Sequence, residues 1–320
     1  QFPNACYHLL RMSTPYDLVI FHRPRWRFGF SLLIRALRQR GTICVADFDD
    51  LVFDIDYAQV SPGVVNGLVS LAQTKKNFRR HQRALLCFQQ LGCITSVSTA
   101  PLVGKVQELM KKHGRSQAHV ELMYNSVHWH WRQHPIEAKP ERPRITYFPG
   151  TRSHDRDFAQ IIPALAQVLA QQPNWQLHIT GVLHTTTKTE LLNELQQSGV
   201  KVAEQLVFMD RQPFEKYREH VAQSWLNLAP LEQNEFNRHK SALKAIEASF
   251  YGVVTVATAI PDMLRFEQSG AVLIDEQRNN QTEAWSQAIS TAMLETPRAE
   301  LRTSNLEKYT VEQHANHLLT

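Results

Sequence analysis

Between Asn234 and Thr258 the chain reads NEFNRHKSALKAIEASFYGVVTVAT, and its charged residues fall where an α/β protein holds a phosphorylated ligand. Asn237 is placed to cap a helix, Gly252 to end it, and the β-branched run Val253–Val256 to form the strand that follows. At about 100° per residue, Leu243, Ile246 and Phe250 share an apolar face. Lys240, Lys244, Glu247 and Tyr251 form a polar stripe, with Ala245, Ala248 and Ser249 as a small-residue flank. Lysines near a helix start offer a diphosphate both charge and unpaired N–H groups. The same residues also fit a solvated face whose Lys244–Glu247 pair is worth roughly a few tenths of a kcal/mol.

A second polar cluster is the run Pro149–Asp157, PGTRSHDRD, between a strand and a helix expected from Phe158. Gly150 would let a ligand approach the backbone, and Thr151, Arg152 and His154 would add contacts to a diphosphate. A solvated turn with Asp157 as N-cap is the alternative. A third cluster, Asp47-Phe48-Asp49-Asp50, follows the strand TICVA, and His22-Arg23-Pro24 ends the strand before it. Carboxylates placed there can bind a cation, orient sugar hydroxyls or act as a base, or simply cap the next turn. His128, His130 and His134 lack a carboxylate or cysteine to complete a zinc set. Neither a Walker loop nor G-x-G-x-x-G occurs, and no serine sits in a nucleophile elbow.

Strand-like and helix-like segments alternate along the chain and position these clusters after strands. Strands are expected at Asp17–Phe21, Thr42–Ala46, Cys93–Val97 and Val120–Tyr124, with helices at Phe30–Arg40, Asn66–Leu91 and Pro101–His113. The proline-rich stretch His134–Arg144 reads as a linker. Beyond it come strands at Arg144–Phe148, Gln176–Thr180, Leu206–Met209, Leu226–Pro230 and Ala271–Ile274. The accompanying helices are Phe158–Gln171, Leu191–Ser198, Phe214–Ser224, Thr282–Leu294 and Val311–Leu319. The expected fold is therefore α/β, with two Rossmann-like domains at 1–134 and 144–300 facing a cleft, a linker at 135–143 and a terminal helix within 301–320.

At 320 residues the chain can bury a sizeable core, and it contains no run approaching the roughly 18 apolar residues of a membrane span. It opens QFPNACYHLL, without an initiator methionine or a signal layout, and is expected to be a fragment or processed form. Cys6, Cys44, Cys87 and Cys93 lack metal spacing and suit free thiols in a reducing cytoplasm. A net charge of +5, concentrated in the arginines from Arg23 to Arg40 and in Lys75–Arg80, favours an anionic partner. The cations do not follow a nucleic-acid-binding motif, so no nucleic-acid partner is expected; an anionic membrane surface fits.

These stretches resemble the retaining, nucleotide-sugar-dependent glycosyltransferases of the GT-B fold, group 1 or family 4-like, found in bacterial polysaccharide synthesis. The similarity is carried by Ala46–Asp54 (ADFDDLVFD), Tyr124-Asn125-Ser126-Val127, Ile145–Leu169 and, most specifically, Asn234–Thr258. It implies a UDP- or GDP-sugar donor, a glycan or lipid-linked acceptor, retention of configuration, no metal or other cofactor, and a terminal helix that crosses back to the first domain. It implies a cytoplasmic enzyme, peripheral on the inner face of the membrane, in lipopolysaccharide or capsule assembly. By the same resemblance Glu247 holds the donor ribose, and Gly150, Thr151, Arg152, His154, Asn237, Lys240, Ser241 and Lys244 surround the donor. Asp49, Asp50 and Lys240 are the catalytic candidates, and His22, Arg23 and Asp47 face the acceptor. The family pairs two glutamates separated by seven residues, and the first of these positions is His239 in this chain. A nucleotide-sugar epimerase of the same architecture, or a non-catalytic nucleotide-sugar-binding module, are the alternatives.

Overall fold

The computed structural model describes Leu9, Arg11 and residues 15–115, 117–127, 131 and 139–294. Its contacts separate two compact units, Gln1–Tyr124 with His239–Ser241, and Asn125–Arg238 with Ala242–Thr320.

In the first unit β1 (Leu18–His22), β2 (Ile43–Phe48), β3 (Ile94–Val97) and β4 (Val120–Leu122) pair in that order, all parallel. The crossovers are α1 (Phe30–Gln39), α2 (Leu71–Gln90) and α3 (Ala100–Lys112). The apolar stripe of α1 buries Phe30, Leu33, Ile34 and Leu37 and leaves Arg35 and Arg38 exposed. Phe30 and Phe88 meet Phe21 of β1 edge-on, at 5.9 and 5.4 Å between ring centroids. The second helix starts later than the expected Asn66. Gly67, at φ +67°, breaks the path, and the Ser70 hydroxyl caps the new start by accepting from the Gln73 N–H at 3.2 Å. Strand β2 runs two residues beyond Ala46, so Asp47 and Phe48 belong to the sheet, opposite His22 of β1 and beside β3.

In the second unit the parallel strands are β5 (Arg144–Tyr147), β6 (Gln176–Thr180), β7 (Leu206–Met209), β8 (Leu226–Ala229), β9 (Val254–Thr258) and β10 (Ala271–Ile274). They pair in the order β10-β9-β8-β5-β6-β7. The helices of five or more residues between and after them are α4 (Asp155–Ala159), α5 (Ile162–Gln171), α6 (Thr185–Gln197), α7 (Phe214–Ala222), α8 (Leu243–Ser249) and α9 (Thr282–Leu294). Residues alternate between two buried clusters on the two sheet faces: Val254 and Val256 join one with Leu165 and Trp285, and Val253 and Ala257 join the other with Ile246 and Phe266. This apolar filling on both faces is what a doubly wound parallel sheet requires.

Three helices differ from expectation for local reasons. The helix after β5 is not continuous from Phe158 but breaks between α4 and α5, where Pro163 stands in the first turn of α5 and supplies no N–H. The helix α6 begins at Thr185 because the His184 ring accepts from the Thr186 N–H. The helix after β8 begins at Leu243, not at Asn237. The Ala242 N–H at its start is bound by the buried Asp262 carboxylate at 2.7 Å, a cap supplied from twenty residues away. Among the described residues no helix is long and apolar enough to cross a membrane. The histidines 128, 130 and 134, Cys6, residues 135–138 of the linker and the 301–320 helix lie outside the described residues; Cys44, Cys87 and Cys93 are free and buried.

Candidate functional site

From β5 the second unit's chain winds outward through β6 and β7, then returns to the other side of β5 as β8. The loops after β5 and β8 therefore diverge at the carboxyl ends of neighbouring strands, the switch point where open α/β sheets bind ligands. Gly150, Thr151 and Arg152 of the β5 loop are exposed, and His154 is half-buried. A Cβ added at Gly150 meets nothing within 4 Å, so only a molecule lying against this backbone would call for glycine there. Gly181, closing β6 at φ +140°, presses on the same loop: its Cβ would stand 2.4 Å from the Pro149 carbonyl oxygen.

The two loops are tied together by Asp157. It is buried within α4 and is not the helix cap expected from the sequence. One carboxylate oxygen lies 2.8 Å from His154 Nδ1; the other accepts from the Glu232 N–H at 2.7 Å and from Asn237 Nδ2 at 3.4 Å. Asn237 Nδ2 also donates to the Glu232 carbonyl at 2.9 Å, so this side chain braces the β8 loop instead of capping α8. Nothing in the sequence pattern marks Asp157 for this role, because its partners lie up to eighty residues away.

Helix α8 carries Lys244 and Glu247 into the fold, not onto a solvated face. Lys244 Nζ stands 4.8 Å from the Tyr147 ring centroid, over its face. Glu247 is 8% exposed, and its Oε2 accepts from the Tyr217 hydroxyl of α7 at 2.6 Å. Burial pushes this carboxyl up to about 7, against the opposing pull of the Tyr217 bond and the Lys244 charge. Tyr251 is buried too, donating to the Trp131 carbonyl at 3.0 Å. The sequence gives no sign of Tyr217, which sits thirty residues away on a different helix.

In the first unit the ends of β1, β2 and β3 gather the aspartate-rich run. His22 Nδ1 is 2.8 Å from Asp47 Oδ2, whose other oxygen accepts from the Ser96 hydroxyl at 2.8 Å. Arg23 donates to Asp49, and its second guanidinium nitrogen lies 3.4 Å from Asp50. Burial raises the Asp49 carboxyl, but the bond and charge of Arg23 and the nearby His22 outweigh it and hold the group below its ordinary value. Asp49 is thus suited to holding charge more than to taking a proton. Arg23 itself has φ +44° just before Pro24, a strained conformation fixed by its N–H to the Asp47 carbonyl and by its carboxylate partners. The short segment His239–Ser241 belongs to this unit: the His239 carbonyl accepts from the Thr99 hydroxyl at 3.0 Å, and Lys240 Nζ is 4.0 Å from Asp50. Ser241 is half-buried at the end of that segment. Among the described residues no cluster of three or more His, Cys, Asp or Glu is arranged to hold a metal ion.

Residues 143–295 match the family described as glycosyl transferases group 1. That match covers most of the second unit and just under half of the chain. No curated protein matches the chain by sequence. Among solved structures it is similar to the UDP-forming α,α-trehalose-phosphate synthase of Burkholderia xenovorans in complex with glucose-6-phosphate. That pair shares 12% identity over 98% of this chain and 74% of the other, with a TM-score of 0.65. Anabaena Alr3699/HepE in complex with UDP and glucose gives 12% identity over 99% and 80%, TM-score 0.63. A putative UDP-N-acetylglucosamine 2-epimerase of Listeria monocytogenes gives 12% over 99% and 76%, TM-score 0.57. At these identities the likeness establishes the fold, two Rossmann-like units of the GT-B kind, while the group 1 match supports glycosyl transfer.

Proposed function

We propose that the chain transfers a sugar from a nucleoside diphosphate, UDP or GDP, to a glycan or lipid-linked acceptor, with retention of configuration and without a metal, in bacterial surface polysaccharide synthesis. The observation that carries this reading is the buried Glu247 carboxyl, braced by Tyr217 on the helix that follows the switch-point loop. A carboxyl fixed in this way can take both hydroxyls of a ribose. The exposed backbone of Gly150–Arg152 can meet the diphosphate, and Arg152 and Lys244 would offset the charge that builds on it as the sugar departs. His22, its Nδ1 fixed by Asp47, has Nε2 as the atom to meet a hydroxyl of the acceptor.

A thermal-shift series with UDP-, GDP-, dTDP- and CMP-sugars should show one nucleotide raising the melting temperature. Glu247→Ala should weaken that nucleotide by about tenfold or more, the value of a hydrogen bond to a charged group. Absence of any nucleotide-sugar binding, with Glu247→Ala indistinguishable in donor hydrolysis, would remove the proposal. The epimerase among the structural neighbours supports a second reading, which an epimerised donor formed without acceptor would establish. Tight nucleotide binding without turnover on any acceptor would instead mark a binding module, in keeping with His239 at the first glutamate position.

A further inference from the structure

On the first unit, the loop from Pro24 to Gly29 and one face of α2 border an open hollow of about 570 Å³. Trp26 and Phe28 line it together with Lys76, Arg79, Arg80 and Arg83. Phe28 is 93% exposed, and Leu32 in the first turn of α1 is 64% exposed. The arrangement is built into the fold. The Trp26 N–H donates to the Arg80 carbonyl at 2.9 Å, and the buried His81 ring meets the Pro24 carbonyl at 2.9 Å and Arg25 Nε at 3.3 Å. The Arg83 guanidinium stands 5.9 Å from the Trp26 ring centroid. No Asp or Glu occurs between Asp17 and Asp47 or between Asp56 and Glu108, so the segments that form this face bring cations and no carboxylates.

We propose that this face docks on an anionic lipid bilayer. The lysine and arginines meet headgroup phosphates, while Phe28, Leu32 and the edge of Trp26 enter the boundary between headgroups and acyl chains. A soluble polyanion would account for the cations but not for Phe28 and Trp26, large apolar side chains exposed among them. The loop leaves β1 directly after His22, so docking brings the acceptor-side cluster to the membrane surface and selects a lipid-linked acceptor over a soluble glycan. That last step rests on the proposed transfer activity; the docking does not, and its test reads binding alone.

Full-length protein is floated with vesicles of phosphatidylcholine, alone or mixed with phosphatidylglycerol. It should bind the mixed vesicles and not the neutral ones, with binding that weakens as sodium chloride rises. Each surface cation is worth about fivefold in partition, so Arg79→Ala combined with Arg83→Ala should lower binding more than tenfold. Phe28→Ser should lower it by roughly tenfold through lost apolar insertion. All these side chains are exposed, so circular-dichroism melting should match the wild type. Equal binding to both vesicles, or to neither, overturns the proposal. So does binding that Phe28→Ser leaves intact and soluble polyphosphate abolishes, which would mark a polyanion site.

Discussion

Glu247 is the residue whose environment has the clearest measurable consequence. Its carboxyl titrates near 7 in the folded protein, above the ordinary 4.5, chiefly because it is buried. Between those values the folded state keeps a proton that the unfolded chain has released. Stability from this group is therefore fully present at the acidic end and declines as pH rises towards 7, by roughly 3 kcal/mol in all. Glu247→Gln keeps the shape and removes the titration. Melting temperatures of the two proteins from about pH 5 to about pH 8 should diverge, the glutamine variant gaining on the wild type as pH rises. A constant gap would mean that the carboxyl is not held in this environment. Gly150 gives a complementary test: Gly150→Ala should leave the melting temperature unchanged, since a Cβ there meets nothing, yet weaken nucleotide binding if a diphosphate lies against that backbone. Unchanged affinity would place the diphosphate elsewhere. Helical spacing put Glu247 on the right helix, but its burial and its bond to Tyr217 depend on α7, which no local pattern brings to it.

The strands of both units were legible because each is a short apolar run between polar turns, and the alternation with helices implied parallel pairing. Helix starts were not, wherever the first amides find distant partners. Ala242 is bound by Asp262, and Asn237, which looks like a helix cap, spends its amide on Glu232 and Asp157. Such contacts join the ends of different strands, so they follow from sheet order and not from residue spacing. Asp157 makes this concrete. Asp157→Ala would remove the acceptor of the Glu232 N–H and the contacts of this buried carboxylate with His154 and Asn237, which should cost about 2 kcal/mol. It should also weaken nucleotide binding by loosening both switch-point loops. Urea melts with and without nucleotide read the two effects separately; an unchanged midpoint would show that the bridge carries no stability. Gly181→Ala attacks the same loop from behind. A methyl group 2.4 Å from the Pro149 oxygen cannot be accommodated without backbone movement, so a loss of about 2 kcal/mol is expected, with reduced nucleotide affinity. A wild-type melt would show that Pro149 moves freely.

Over the whole molecule, charge and chemistry are distributed unevenly. The excess of arginine in the first half was visible in the sequence, but its assembly with Trp26 and Phe28 depends on α2 packing beside the β1 loop. Of the proposed donor residues, Gly150, Thr151, Arg152, His154, Asn237, Lys244 and Glu247 belong instead to the second unit, the part that matches the group 1 family, while Lys240 and Ser241 belong to the first. Ligand protection in amide exchange separates these two assignments. A nucleotide slows exchange in segments it touches and in those that open together with them, because binding to the folded state lowers the population of open forms. The nucleotide selected by thermal shift should therefore slow exchange most at residues 149–154, at residues 230–237 and along α8. The basic face of α2 should respond instead to vesicles containing phosphatidylglycerol. If the nucleotide slowed exchange only in the first unit, the donor would have to be moved to the cluster around His22 and Asp47, and Glu247 would be left as a buried structural carboxyl.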